Sequence, residues 1–158
     1  MSQNISMKFF RNHAKVTVTR IDDFPTIGTI EDAAYAWVGR NLLLAYQIAP
    51  VDGGGCALVF FADAIDVSIF PLNVEGFSKN KSGPYAPDFF IDPWQINEIS
   101  GDDKTQYWKV LKHRRWIISF MDWTMDIVFA DVELKEICNN TEMPDQLLIE
   151  RIHLLKSA

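Results

Sequence analysis

The side chains able to do chemistry are spread thinly along this sequence. Its three histidines, His13, His113 and His153, fall in three separate regions. A histidine dyad or triad would have to be assembled entirely by the fold, and the simpler reading is three surface histidines. Asp63, Asp66, Asp88 and Asp92 are candidates for paired general acid–base work. Strand alternation puts Asp63 and Asp66 on opposite faces unless a turn or bulge falls between them. "KHRR" (Lys112 to Arg115), flanked by Trp108 and Trp116, has the charge to hold phosphate or an acidic loop. A short basic run of this kind more often marks a solvated strand entrance. "VDGGGC" resembles a phosphate cradle only superficially. Phosphate loops rely on a following helix N-terminus, and here a strand follows, so a hairpin turn is expected. Cys56 and Cys138 lie far apart, each in or beside an apolar strand-like run. Both are expected to be reduced, structural thiols. Zinc, nucleotide and serine-hydrolase signatures are absent. The expectation is therefore no catalytic residue, no metal and no cofactor.

"GPYAPDFFIDPW" (Gly83 to Trp94) is different in kind. Prolines bar it from a regular helix or a central strand, yet it carries Tyr85, Phe89, Phe90 and Trp94. One reading folds these aromatics back as a lid over an open end of the core. The other leaves Tyr85 and Trp94 outward as interface anchors. Asp88 and Asp92 then add negative charge suited to a basic partner. Tyr85, Asp88, Asp92 and Trp94 are accordingly the candidate partner-binding residues, with Phe89 and Phe90 expected inward.

Composition limits the partners. The 158 residues hold 15 Lys and Arg against 21 Asp and Glu, a net charge of −6. This balance argues against nucleic acid, whose affinity comes from clustered cations, and suits a basic protein. No apolar run approaches the length of a membrane span. The N-terminal stretch lacks the apolar core of a secretory signal. A cytoplasmic location without membrane contact is expected. Asn139-Asn140-Thr141 fits the glycosylation sequon, a chance match on that reading.

The elements that must position these residues read mostly as strands. The length suits one domain over residues 1–158, with residues 1–7 frayed and 71–105 an irregular loop region rich in proline and aromatics. "KVTVTRI" alternates as a strand. In "AAYAWVGRNLLLAYQIAP", Gly39-Arg40-Asn41 argues for a hairpin, with Tyr35 and Trp37 sharing one face. "CALVFFADAIDVSIF" and "RRWIISFMDWTMDIVFADVEL" supply further strands. The second is apolar on both faces and therefore central in its sheet. "DDKTQYWKVLKHRR" permits a short helix. "NNTEMPDQLLIERIHLLKSA" is an amphipathic helix whose stripe is Leu148, Ile152 and Leu155, widened by Leu147 and Leu154. Short connections imply antiparallel pairing. The expected fold is mainly β with α+β character: an antiparallel sheet body, sandwich-like or partly closed as a barrel, with a C-terminal helix packed on it.

The order of hairpin, apolar strand, proline-rich loop and paired apolar strands, over about residues 33 to 134, resembles the layout of small bacterial proteins of the toxin-immunity type. That resemblance implies a non-catalytic protein that occludes a partner, and it transfers no functional residue. The expected function is a soluble protein-binding module, immunity-like, for a basic partner. The alternative is a small enzyme or ligand binder with an aromatic-lined pocket under the 83–94 loop.

Overall fold

The computed structural model describes residues 16–71, 91–140 and 143–157. Their nine strands are β1 (Thr17–Arg20), β2 (Ala34–Val38), β3 (Asn41–Gln47), β4 (Cys56–Ala62), β5 (Asp66–Phe70), β6 (Ile96–Ser100), β7 (Arg114–Ser119), β8 (Thr124–Phe129) and β9 (Asp131–Cys138). Two α-helices join them, α1 (Asp103–Trp108) and α2 (Pro144–Ser157). All ladders are antiparallel. One sheet has the order β1-β6-β7-β8-β5 and the other β2-β3-β4-β9. The body is thus doubled into two sheets and is not a closed barrel.

The main core lies between the sheets. Leu42, Leu44 and Tyr46 of β3 and Val59 and Phe61 of β4 meet Trp116 and Ile118 of β7 and Met125, Ile127 and Phe129 of β8. Trp116 is central, with edge-on contacts to Phe24, Phe61 and Phe129 at centroid distances of 5.3, 5.7 and 5.1 Å. Its indole Nε1 donates to Glu98 Oε1 at 2.9 Å, so the ring is buried without orphaning its polar atom. β7 and β8 are central in their sheet, as their two apolar faces require.

The β2–β3 hairpin turns on Gly39 and Arg40, with Val38 opposite Asn41. Gly39 has φ 62°, a backbone that a residue without Cβ adopts at little cost. The run "CALVFFADAIDVSIF" is not one strand direction. It breaks at Asp63 (φ 48°), and the chain leaves the four-stranded sheet after β4 to enter the five-stranded one as β5. β8 and β9 make the return crossing one residue apart.

A second apolar layer forms where α2 covers the four-stranded sheet. Leu147 and Leu148 are buried against Leu43, Ala45, Cys56 and Leu58, with Ile152 partly buried beside them. Leu154 and Leu155, expected on the same stripe, are exposed, as is Ile149. The helix docks through its N-terminal half, and Arg151 is tied to Glu136 of β9 by paired hydrogen bonds. Among the described residues, no helix is long and apolar enough to cross a membrane.

Candidate functional site

Of the residues expected to bind a partner, Tyr85 and Asp88 lie outside the described residues, as do the expected inward Phe89 and Phe90. Asp92 is exposed. Trp94 is not an outward anchor: it is half-buried against the main core, with its indole Nε1 enclosed and without a hydrogen-bond partner. A left-handed backbone at Trp94 (φ 51°) leads the chain into β6 at this point. Trp94 also lines a cavity of about 170 Å³ with Arg20, Phe24, Thr26, Asp52 and Gln95. Small-molecule pockets usually run to about 300–1,000 Å³, so this one is too small for most ligands. At its rim the Thr26 N–H donates to Asp52 at 2.7 Å. Hydrogen bonding to Thr26 holds the Asp52 carboxyl below its ordinary range. The Tyr46 hydroxyl donates to the Pro25 carbonyl at 2.7 Å. Burial, and then the charge of Asp52, push this phenol well above its usual range.

"KHRR" is only in part a solvated strand entrance: Lys112 and Arg114 are exposed at the start of β7, whereas the His113 and Arg115 side chains are enclosed. Its side chains diverge, and three of the four find acids. His113 is enclosed, its side chain only 6% exposed, against the expectation of a surface histidine. Its Nε2 meets Asp63 Oδ2 at 3.0 Å and its Nδ1 meets the Leu111 carbonyl at 3.0 Å. Asp63 also pairs with Arg40 at 2.6 Å. With both ring nitrogens facing acceptors, the imidazole has no open position for abstracting a substrate proton. Arg114 bonds Glu98 through Nε at 2.7 Å, and its guanidinium lies over the Trp116 ring at 5.5 Å.

Arg115 points to the other face and is buried. Its Nε and Nη2 donate to Asp126 Oδ1 and Oδ2 at 2.9 and 2.8 Å, a bidentate pair. Asp102, just before α1, takes Nη1. Lys104 of α1 bridges Asp126 and Asp66 at 3.3 and 3.2 Å. Asp66 also accepts from Trp108 Nε1 at 3.4 Å. Asp63 and Asp66, three residues apart, thus serve two separate charge clusters and do not form a carboxylate pair. The second cluster fastens the short α1 to the outer face of the five-stranded sheet. Among the described residues, no group of three or more His, Cys, Asp or Glu is placed to hold a metal ion.

The β2 margin of the sandwich is arranged otherwise. β2 is an edge strand. Alternation turns Ala34, Ala36 and Val38 toward the α2 layer and sends Tyr35 and Trp37 to the opposite face. There they remain 39% and 50% exposed. Tyr35 leans on Trp123 of the β7–β8 turn, with ring centroids 5.6 Å apart, and Trp123 in turn stacks on Phe120 at 4.5 Å. Beside them the Asp122 N–H donates to Asp32 Oδ1 at 3.1 Å. The Asp32 carboxyl is pushed up, first by burial and then by the neighbouring Asp122 carboxylate, against the lowering effect of that backbone bond. Among the described residues, neither acid has a salt bridge to a basic side chain.

The sequence gives half the signal for this margin, since Tyr35 and Trp37 alternate onto one face. The juxtaposition of Asp32 with Asp122 arises only from the fold. Comparison with family models, curated proteins and solved structures gives no match.

Proposed function

We propose that this chain is a non-catalytic protein-binding module that receives a basic segment of a partner on the β2 margin. The observation that carries the reading is the Asp32–Asp122 carboxylate pair, without a salt bridge among the described residues, beside the exposed rings of Tyr35 and Trp37. An arginine or lysine of the partner would relieve the repulsion between the two acids. Its alkyl stem and charge would lie on the rings, a contact worth about 0.5–2 kcal/mol. β2, an edge strand among the described residues, adds backbone donors and acceptors that an extended segment can pair with. The engagement of His113 and Arg115 by acids of this same chain supports a binding role over catalysis. An immunity-type protein that occludes a basic partner is the finer form of this reading, with exposed Asp92 adding negative charge.

The test is capture of a partner from the source cell by tagged protein, compared across variants. Wild type and Glu150→Gln, on the exposed side of α2, should capture the same basic protein, with recovery falling as salt rises. Asp32→Asn/Asp122→Asn and Trp37→Ala should each lose it. Undiminished capture by the margin variants would refute the assignment.

A further inference from the structure

Cys56 opens β4 and Cys138 closes β9, and the two are direct partners in the antiparallel register. Directly opposed residues have Cα atoms about 4.5 or 5.5 Å apart, depending on the type of pair, and project from the same face of the sheet. A disulfide requires a Cα separation of about 4.4–6.8 Å, so either type of pair meets it. Both side chains lie in the layer under α2, in contact with one apolar cluster. They are not bonded to each other in the structure.

The strands have little freedom to splay at this point. Gly55, next to Cys56, has φ 78°, and a Cβ placed on it would lie 2.4 Å from the Cys138 carbonyl oxygen. The glycine lets the β4 backbone close onto Cys138. The two thiols differ in access: Cys56 is fully buried, whereas Cys138 is half-buried. The pair thus consists of one accessible sulfur and one enclosed sulfur facing it.

We propose that Cys138 and Cys56 are an oxidisable dithiol, a modification site at which a small disulfide such as oxidised glutathione is reduced while a cross-strand bond forms. The Cys138 thiolate attacks one sulfur of the glutathione disulfide. The S–S bond breaks, one glutathione leaves as its thiolate and takes up a proton, and a mixed disulfide remains on Cys138. Cys56 gives up its proton and attacks the Cys138 sulfur. The second glutathione leaves and is protonated, and the Cys56–Cys138 bond closes. Two protein thiols are oxidised, one glutathione disulfide is reduced, and both protons end on glutathione.

The experiment incubates the folded full chain with oxidised glutathione, then denatures it and counts thiols with a maleimide. Wild type should fall from two thiols to none, lose the mass of two hydrogens, and give a Cys56–Cys138 linked peptide on digestion. Cys56→Ser should stop with one glutathione on Cys138. Cys138→Ser should stay unmodified while folded, because the remaining thiol is enclosed. A wild-type chain that keeps both thiols, holds the mixed disulfide without closing it, or forms only intermolecular crosslinks would overturn the proposal. Modification of Cys138→Ser at the wild-type rate would overturn the order of attack. Thermal melts establish that each serine variant is folded. If one is not, the wild-type thiol count and peptide map decide alone.

Discussion

The backbone N–H of Asp122 donates to the Asp32 carboxylate at 3.1 Å across 90 residues of sequence. A bond that normally steadies an anion here brings two anions together. Asp32 binds its proton more tightly in the folded chain than an ordinary carboxyl does, because burial and the Asp122 charge both oppose ionisation. Its contribution to stability is therefore fully present below the unfolded pKa and is lost as pH rises through the raised folded value. Asp32→Asn keeps an oxygen acceptor for the Asp122 N–H and removes the repulsion. At neutral pH it should raise the thermal midpoint slightly, within the scale of about 0.5 kcal/mol usual for surface substitutions. A melt series from mildly acidic to neutral pH should show a smaller fall with rising pH in the variant than in wild type. A lowered midpoint in Asp32→Asn at neutral pH would contradict the account.

Glu136 and Arg151 behave with the opposite sign. Hydrogen bonding from Arg151 lowers the Glu136 carboxyl, so its contribution is present above the unfolded pKa and lost as pH falls through the lowered folded value. Since this pair ties α2 to β9, amide exchange in α2 should speed up on acidification before exchange in β7 and β8 does. Glu136→Gln should show the faster α2 exchange already at neutral pH. Uniform acceleration across helix and strands would count against a local tie.

The Arg115–Asp126 pair should be far more sensitive. Both side chains are nearly fully buried, 6% and 3% exposed. Asp126→Asn leaves a buried guanidinium short of its counter-charge, and breaking such a pair costs about 3–5 kcal/mol. An apolar double variant, Arg115→Met/Asp126→Leu, should recover much of that loss, since replacing both partners removes the desolvation cost too. Urea midpoints of the single and double variants measure this. A double variant less stable than Asp126→Asn would show that the Lys104, Asp102 and Asp66 contacts dominate the cluster.

Two tryptophans provide a contrast in burial. Trp116→Ala removes a fully buried ring from the inter-sheet core and should cost about 3–5 kcal/mol. Trp37→Ala removes a half-exposed ring at the β2 margin and should cost far less in a denaturant melt. Comparable losses would mean that Trp37 serves the core and not a partner.

Much of the strand pattern was legible because it is local. Gly39 marks the hairpin, and the two apolar faces of β7 and β8 mark them as central. Membership of a sheet is not local. Alternation continues from Val59 and Phe61 into Val67 and Ile69, and nothing in the period reveals that the chain changes sheets at Asp63, a residue type that tolerates a left-handed backbone. The charged sites were hidden for a related reason. Arg115 reads as one more basic residue in "KHRR" until register sets it opposite Val128 and diagonal to Asp126, and His113 looks like a surface residue until the crossing brings Asp63 to it. Leu154 and Leu155 fit the helical stripe perfectly well, but α2 docks by its N-terminal half and leaves them exposed. In the "GPYAPDFFIDPW" segment, aromatic content indicated importance without direction, and Trp94 turned inward.

The two sheet crossings lie side by side. Ala130 N–H donates to the Ala62 carbonyl at 2.9 Å, and Ile65 N–H donates to the Val128 carbonyl at 3.0 Å. Each bond therefore fastens one crossing to the other, where the chain passes between sheets in both directions. The sandwich is clasped at this point and cannot open like a book along that side. Pulling the sheets apart would require breaking the clasp and stripping β5 from β8 or β9 from β4. The cheapest route to disorder therefore begins at the opposite margin, near β1 and β2. Loss of the clasp coincides with loss of the whole core, which ties the two sheets into a single cooperative unit.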